Sequence, residues 1–207
     1  MKIGEYIGKQ CAKPEGFGGA VATKMMNFMN YELYRAVEKF VCKNDGAKIL
    51  DIGFGNGKML KNLSRKLDAK LYGIDISEDM LDKALEKNKD SVNLNQMMLV
   101  QANVADLPYN DDFFDTVYTI NTVYFWNDMP KAFEEILRVL KNGGNFVCGF
   151  YGKEYLDRLA YCDEGFEKFT PQHIRSMARE NGFHNVKVKI IKEGKAYCLI
   201  GTKDEGY

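Results

Sequence analysis

The sequence carries no net charge: 29 Lys and Arg are offset by 29 Asp and Glu over 207 residues. A protein that grips phosphate backbones over a broad face needs a surplus of Lys and Arg, so nucleic acid is not an expected partner. No stretch approaches 18 apolar residues, which excludes a membrane-spanning helix. No apolar run follows Met1-Lys2-Ile3-Gly4-Glu5, so neither a signal peptide nor a transit sequence is expected and the location reads as cytoplasmic. Cysteine is sparse and scattered: Cys11, Cys42, Cys148, Cys162 and Cys198 form no Cys-x-x-Cys pair, and His173 and His184 are the only histidines. That set suits a reducing compartment and offers no zinc site. With 45% hydrophobic and 13% aromatic residues, one well-packed domain is expected.

What is present alternates. Lys48 to Ile52, Leu71 to Asp75, Met97 to Ala102, Asp115 to Ile120 and Phe146 to Phe150 are short apolar runs that read as strands. Between them, Met59, Leu60, Leu63 and Leu67 recur at helical spacing, as do Met80, Leu81, Ala84 and Leu85 after the N-cap residue Ser77. Asp128-Met129-Pro130 opens a helix whose core side is Phe133, Ile136, Leu137 and Leu140, and Asn142-Gly143-Gly144 is expected to stop it. Continuous apolar strands between amphipathic helices predict an α/β fold with a mostly parallel sheet covered on both faces. Thr170-Pro171 caps a further helix, and Val186 to Ile191 and Ala196 to Thr202 predict a C-terminal antiparallel hairpin at the sheet edge. Residues 1–46 do not alternate; Leu33, Ala36, Val37, Phe40 and Val41 mark one helix, and the segment reads as a helical cap over residues 47–207.

The most informative segment is Asp51-Ile52-Gly53-Phe54-Gly55-Asn56-Gly57, at a strand-to-helix turn, with Asp75 ending the next strand. Glycines there allow a tight bend and close approach of a ligand, and the acid can accept two hydrogen bonds from a ribose diol. The dinucleotide fingerprint needs a third glycine where Lys58 stands, and a Walker A loop needs Gly at Ile52 and Ser or Thr at Met59. The D-x-G-x-G-x-G pattern instead resembles the first motif of class I S-adenosylmethionine-dependent methyltransferases. Gly73-Ile74-Asp75-Ile76-Ser77 is similar to that family's second motif. Asn103 stands ahead of Leu107-Pro108, where such enzymes carry Asp, and Leu140-Lys141-Asn142-Gly143-Gly144 resembles the turn before strand five, with Asn for Pro.

The resemblance implies a Rossmann-like sheet of seven strands and a site for S-adenosyl-L-methionine, with S-adenosyl-L-homocysteine as product. It implies a cofactor set of Asp51, Gly53, Phe54, Gly55, Asn56, Gly57, Asp75, Ile76, Asn103, Val104 and Asn121. In it Asp75 meets the ribose, Ile76 packs on adenine, and Asn103 accepts from the adenine amino group through its side-chain oxygen. Asp51 either meets the ligand amine or ties the loop together, and Asn121 either borders the methionine end or serves the turn. Tyr124 and Trp126 read as an aromatic wall for the sulfonium or as packing, and Phe17 and Tyr151 are candidates for an acceptor pocket. No Asp/Asn/Ser-Pro-Pro-Phe/Tyr tetrapeptide and no Pro-Cys nucleophile is present, which disfavours the types that methylate an exocyclic amine of a nucleobase or glutamine and the cytosine-C5 types. A small-molecule methyl acceptor is the leading expectation. The alternatives are a protein or RNA methyltransferase, a non-catalytic nucleoside-binding module, and an NAD enzyme with a degenerate fingerprint. No residue is assigned as a general base.

Overall fold

A computed structural model describes residues 30–41, 44–159, 162 and 166–204. Its strands are β1 Ala47–Ile52, β2 Ala69–Asp75, β3 Met97–Gln101, β4 Phe114–Ile120, β5 Leu140–Tyr151, β6 His184–Lys192 and β7 Ala196–Thr202. Its helices are α1 Tyr31–Glu38, α2 Lys58–Ser64, α3 Glu78–Lys87, α4 Lys89–Asn93, α5 Met129–Val139, α6 Lys153–Leu156 and α7 Pro171–Glu180, with a 3-10 turn at Val123–Phe125. The strands form one sheet in the order β3-β2-β1-β4-β5-β7-β6. β1 pairs in parallel with β2 and β4, β2 with β3, and β4 with β5, while β7 runs antiparallel to both β5 and β6. The expected mostly parallel sheet with an antiparallel C-terminal hairpin is therefore observed.

The helix starts follow the capping residues. Ser77 Oγ accepts from Met80 N–H at 3.4 Å, Asp128 Oδ1 from Lys131 N–H at 2.9 Å, and Thr170 Oγ1 from His173 N–H at 3.1 Å. Each satisfies a donor that the first helical turn leaves without a partner. Beneath the helices, Ile49, Leu50, Val117, Phe146 and Val147 are fully buried, as strands covered on both faces must be.

One boundary differs from expectation. α5 ends at Val139, not at the glycine pair, because the N–H groups of Asp112 and Phe113 take the carbonyls of Arg138 and Val139 at 3.0 and 2.8 Å. Leu140 then pairs with Phe114 as strand, and Gly143, at φ 73°, forms an irregularity within β5. Such long-range capture of helix carbonyls carries no local sequence signal.

α1 lies on β5 through Leu33 and Val37. A Cβ at Gly149 would come within 2.9 Å of Val37 Cγ2, so the bare strand backbone lets the helix settle closely. The order of strands reverses between β1 and β4, where chain connections leave in opposite directions. In open α/β sheets that reversal opens a crevice at the carboxyl ends of the strands.

Candidate functional site

The crevice is built first by the turn between β1 and α2. Gly53, at φ 74°, donates its N–H to the Ile74 carbonyl at 2.8 Å, and a Cβ there would run into the Thr122 side chain. Gly57, at φ 69°, occupies the N-cap of α2, where a Cβ would lie 2.5 Å from Asn88 Nδ2 and 2.9 Å from Ala84 Cβ. Gly57 thus permits α2 to pack on α3 and does not itself face the crevice. Both positions combine left-handed backbone with a crowded neighbour, and only glycine satisfies both.

Asp75, ending β2, binds back to this turn. Its Oδ2 accepts from Gly55 N–H at 2.8 Å and its Oδ1 from Ser77 N–H at 3.0 Å. Burial raises its pKa, opposed by these backbone donors. Each oxygen keeps a lone pair for a hydroxyl. Ile76 follows and is 55% exposed, an unusual state for a large apolar residue beside the core. Asn103 Oδ1 accepts from Ala105 N–H at 3.0 Å, which makes a local turn and leaves that oxygen one further lone pair. Val104 is buried beside it.

On the β1–β4 side, Asp51 sits opposite Tyr118 in the ladder and accepts its hydroxyl at 2.8 Å. The loop amides are not its partners. Burial pushes the Asp51 carboxyl up to about 8, partly offset by the Tyr118 hydrogen bond and reinforced by the charge of Asp75. Asn121, at φ 59°, ends β4; its Nδ2 donates to Asn30 Oδ1 at 2.6 Å and its Oδ1 accepts the Tyr124 hydroxyl at 2.9 Å. Tyr34 on α1 hydrogen-bonds Asn30 and feels the charge of Asp51; burial above all raises its pKa to about 12.

These groups wall one cavity of about 400 Å³. Asp51, Gly53, Phe54, Gly55, Asn56, Asp75, Ile76, Asn103, Val104, Asn121 and Trp126 line it, so the structure brings eleven of the expected residues together. Gly57, Tyr124 and Tyr151 are not among the lining residues. The Tyr124 ring is buried, its hydroxyl tied to Asn121 and to the Tyr151 backbone, and Tyr151 packs on Tyr155 at 5.1 Å between ring centroids. In this cavity both tyrosines back the wall and do not line it. Phe17 lies outside the described residues. Phe125, which stands between Tyr124 and Trp126 in the aromatic run read as a wall, lines the cavity beside Trp126 and is backed by Phe166 at 4.7 Å. Asn30, Tyr34, Thr122 and Asp128 were missed. His173 and His184 do not reach the site.

The residues present fit an adenosyl amino acid. The volume lies within the roughly 300–1,000 Å³ usual for small-ligand sites. An exposed Ile76 with Met80, Ala102 and Val104 offers an apolar slot for a planar base, next to the acceptor oxygens of Asp75. The buried acid Asp51 at the other end suits a cation.

A family profile described as a methyltransferase domain matches residues 50–148. The chain is 37% identical over 161 residues to the uncharacterized methyltransferase YdaC of Bacillus subtilis, covering 76% of this chain and 84% of that one. It is 31% identical to the ubiquinone/menaquinone biosynthesis C-methyltransferase UbiE of Vibrio vulnificus, over 66% of this chain but only 55% of UbiE's length. The fold is shared with the chain that forms a complex with the Haloferax volcanii Trm112 methyltransferase activator, at a TM-score of 0.78, 19% identity, and 91% and 95% coverage. The chain belongs to the class I S-adenosylmethionine-dependent methyltransferases and is an enzyme of that kind. Among the described residues, no helix is long and apolar enough to cross a membrane.

Proposed function

We propose that the enzyme moves the methyl group of S-adenosylmethionine directly, in line, onto a small-molecule acceptor. The observation that carries this reading is one cavity pairing a nucleoside end, Asp75 with exposed Ile76, and a cation end, Asp51 between tyrosines. In this reading Asp75 accepts the ribose hydroxyls, Ile76 and Val104 enclose the adenine near Asn103, and Asp51 takes the ammonium of the amino-acid tail. The sulfonium supplies an electrophilic methyl and leaves as a neutral thioether, so the protein has little developing charge to stabilise. Alignment is the main contribution, and holding reactants in place can be worth about 7–11 kcal/mol. Phe125 and Trp126 supply the aromatic surface beside the reacting end, in place of Tyr124 and Tyr151. An acceptor with a flat apolar ring suits that surface, and the C-methylating relative points the same way. The residues before 47 complete the site through α1 and, we propose, cap it.

Incubating a bacterial lysate with methyl-labelled S-adenosylmethionine and the enzyme tests the acceptor class. Label is expected in the small-molecule fraction and lost in Asp75→Ala. Label confined to protein or RNA would contradict the proposal.

A further inference from the structure

The described sheet ends in two strands of opposite character. β6 carries Lys187, Lys189 and Lys192, and its pairing with β7 shifts register twice, between His184 and Lys187 and between Ile190 and Lys192. Lysines and bulges are what keep an open edge from pairing with another chain. β3, at the other end, has neither: Met97-Met98-Leu99-Val100-Gln101 holds no charge and no proline, and its register with β2 is unbroken. Met98 is 55% exposed, and Leu94, just ahead of the strand, is 66% exposed. Tyr72 stands beside Met98 across the β2–β3 ladder and so on the same face. It is only partly buried, as are Val100 and the rings of Tyr109 and Phe113, which meet Tyr72 edge-on at 5.8 and 5.3 Å between centroids. Apolar surface therefore runs from the edge of the sheet onto its face.

The backbone fixes what this edge can pair with. The Gln96 carbonyl accepts from Leu71 N–H at 2.9 Å, and Ala102 N–H donates to the Asp75 carbonyl at 3.1 Å, so the even-numbered residues turn their backbone groups toward β2. In a parallel ladder the alternate residues turn theirs the other way, which leaves Met97, Leu99 and Gln101 presenting N–H and C=O outward. A second β3 laid antiparallel about Leu99 sets Leu99 against Leu99 and Met97 against Gln101, so every outward residue meets an outward residue. Met98 then falls opposite Val100 of the other copy, in the pairs whose side chains approach most closely.

We infer that two copies of this chain pair antiparallel through β3, about a twofold axis at Leu99. Charge selects the copy of itself: an uncharged strand meets its own image without repulsion, whereas two β6 edges would set lysines against lysines. The pairing is isologous and closes at two chains, which removes the unprotected edge. It does not depend on which ligand fills the cavity.

Sedimentation velocity of the full chain over a concentration series tests it. Wild type should pass from monomer to dimer as concentration rises. Met98→Lys, at an exposed position, should keep the circular dichroism spectrum of wild type yet raise the dimer dissociation constant at least about tenfold, since a buried apolar side chain is lost from each copy. Ile190→Lys, on the opposite edge, should leave the constant within about twofold of wild type. The register has its own readout. Residues 98 and 100 of the two copies form a non-hydrogen-bonded pair with Cα atoms about 4.5 Å apart, within disulfide range. An oxidised mixture of Met98→Cys and Val100→Cys should therefore give linked chains in excess of either variant alone. A wild type that stays monomeric to about 100 μM, too weak for a specific pair, would overturn the inference. So would a dimer that Met98→Lys leaves intact, one that Ile190→Lys dissociates, or a mixture that links no better than its components.

Discussion

Lowering the pH from 8 to 6 should weaken S-adenosylhomocysteine binding about fiftyfold. In the free protein, burial pushes the Asp51 carboxyl up to about 8, with Tyr118 opposing and Asp75 adding to the shift. At pH 6 or 7 the carboxyl therefore carries a proton, which an ammonium against it must displace. The first pH unit below 8, where the carboxyl is already half protonated, then costs about fivefold in affinity, and each further unit approaches about 1.36 kcal/mol, or tenfold. Titration calorimetry at pH 6, 7 and 8, each in two buffers of different ionisation heat, reads both quantities: the affinity, and release of close to one proton at pH 6 and 7, falling to about half a proton at pH 8. Asp75 is also shifted upward, so Asp51→Asn serves to separate the two. The variant should bind with a flattened pH profile. A wild-type affinity constant from pH 6 to 8, or an equal slope in Asp51→Asn, would refute the reasoning. The same residue bears on stability. Its folded pKa exceeds its unfolded one, so the free protein binds more protons folded than unfolded, and stability falls as pH rises from about 4 to about 8.

Three further changes have expected outcomes. Tyr124→Phe removes the hydroxyl that meets Tyr151 N–H and Asn121 Oδ1, and should cost about 1–3 kcal/mol in urea unfolding without altering the fold. Arg138→Ala strips the nearly buried Glu135 of its partner and frees the carbonyls of Leu107 and Tyr109; about 2–3 kcal/mol and a thermal midpoint about 5–10 °C lower are expected. Arg138 also holds the Glu135 pKa below its ordinary range, so the stability that pair adds is present at neutral pH and lost on acidification through that range; Arg138→Ala should lose correspondingly less on acidification. Gly53→Ala should destabilise by about 1–3 kcal/mol through its collision with Thr122 and should abolish product binding in calorimetry; wild-type stability would contradict the turn geometry.

The sheet was legible because its strands are buried on both faces and its helices carry one apolar stripe each, so hydrophobic period alone separates them. Caps at Ser77, Asp128 and Thr170 likewise act locally and were read correctly. The end of α5 was not, since the N–H groups that stop it belong to Asp112 and Phe113, far back in the chain. In the cavity, the spacing of Asp51, the glycines and Asp75 carries the turn and its acid in sequence order. Side-chain direction is what spacing does not encode: Tyr124 and Phe125 are neighbours, yet the first turns inward and the second lines the cavity. Tyr34 adjoins the buried Leu33 on α1, and nothing local distinguishes it from a flank of the apolar stripe; only the docking of α1 on Gly149 brings it to Asp51.

The most direct test of the central claim is a thermal unfolding comparison of the protein with S-adenosylhomocysteine and with NAD. At 100 times its dissociation constant, S-adenosylhomocysteine should add about 2.7 kcal/mol and raise the midpoint by about 5–10 °C, and NAD should leave it in place. Stabilisation by NAD alone would contradict the account.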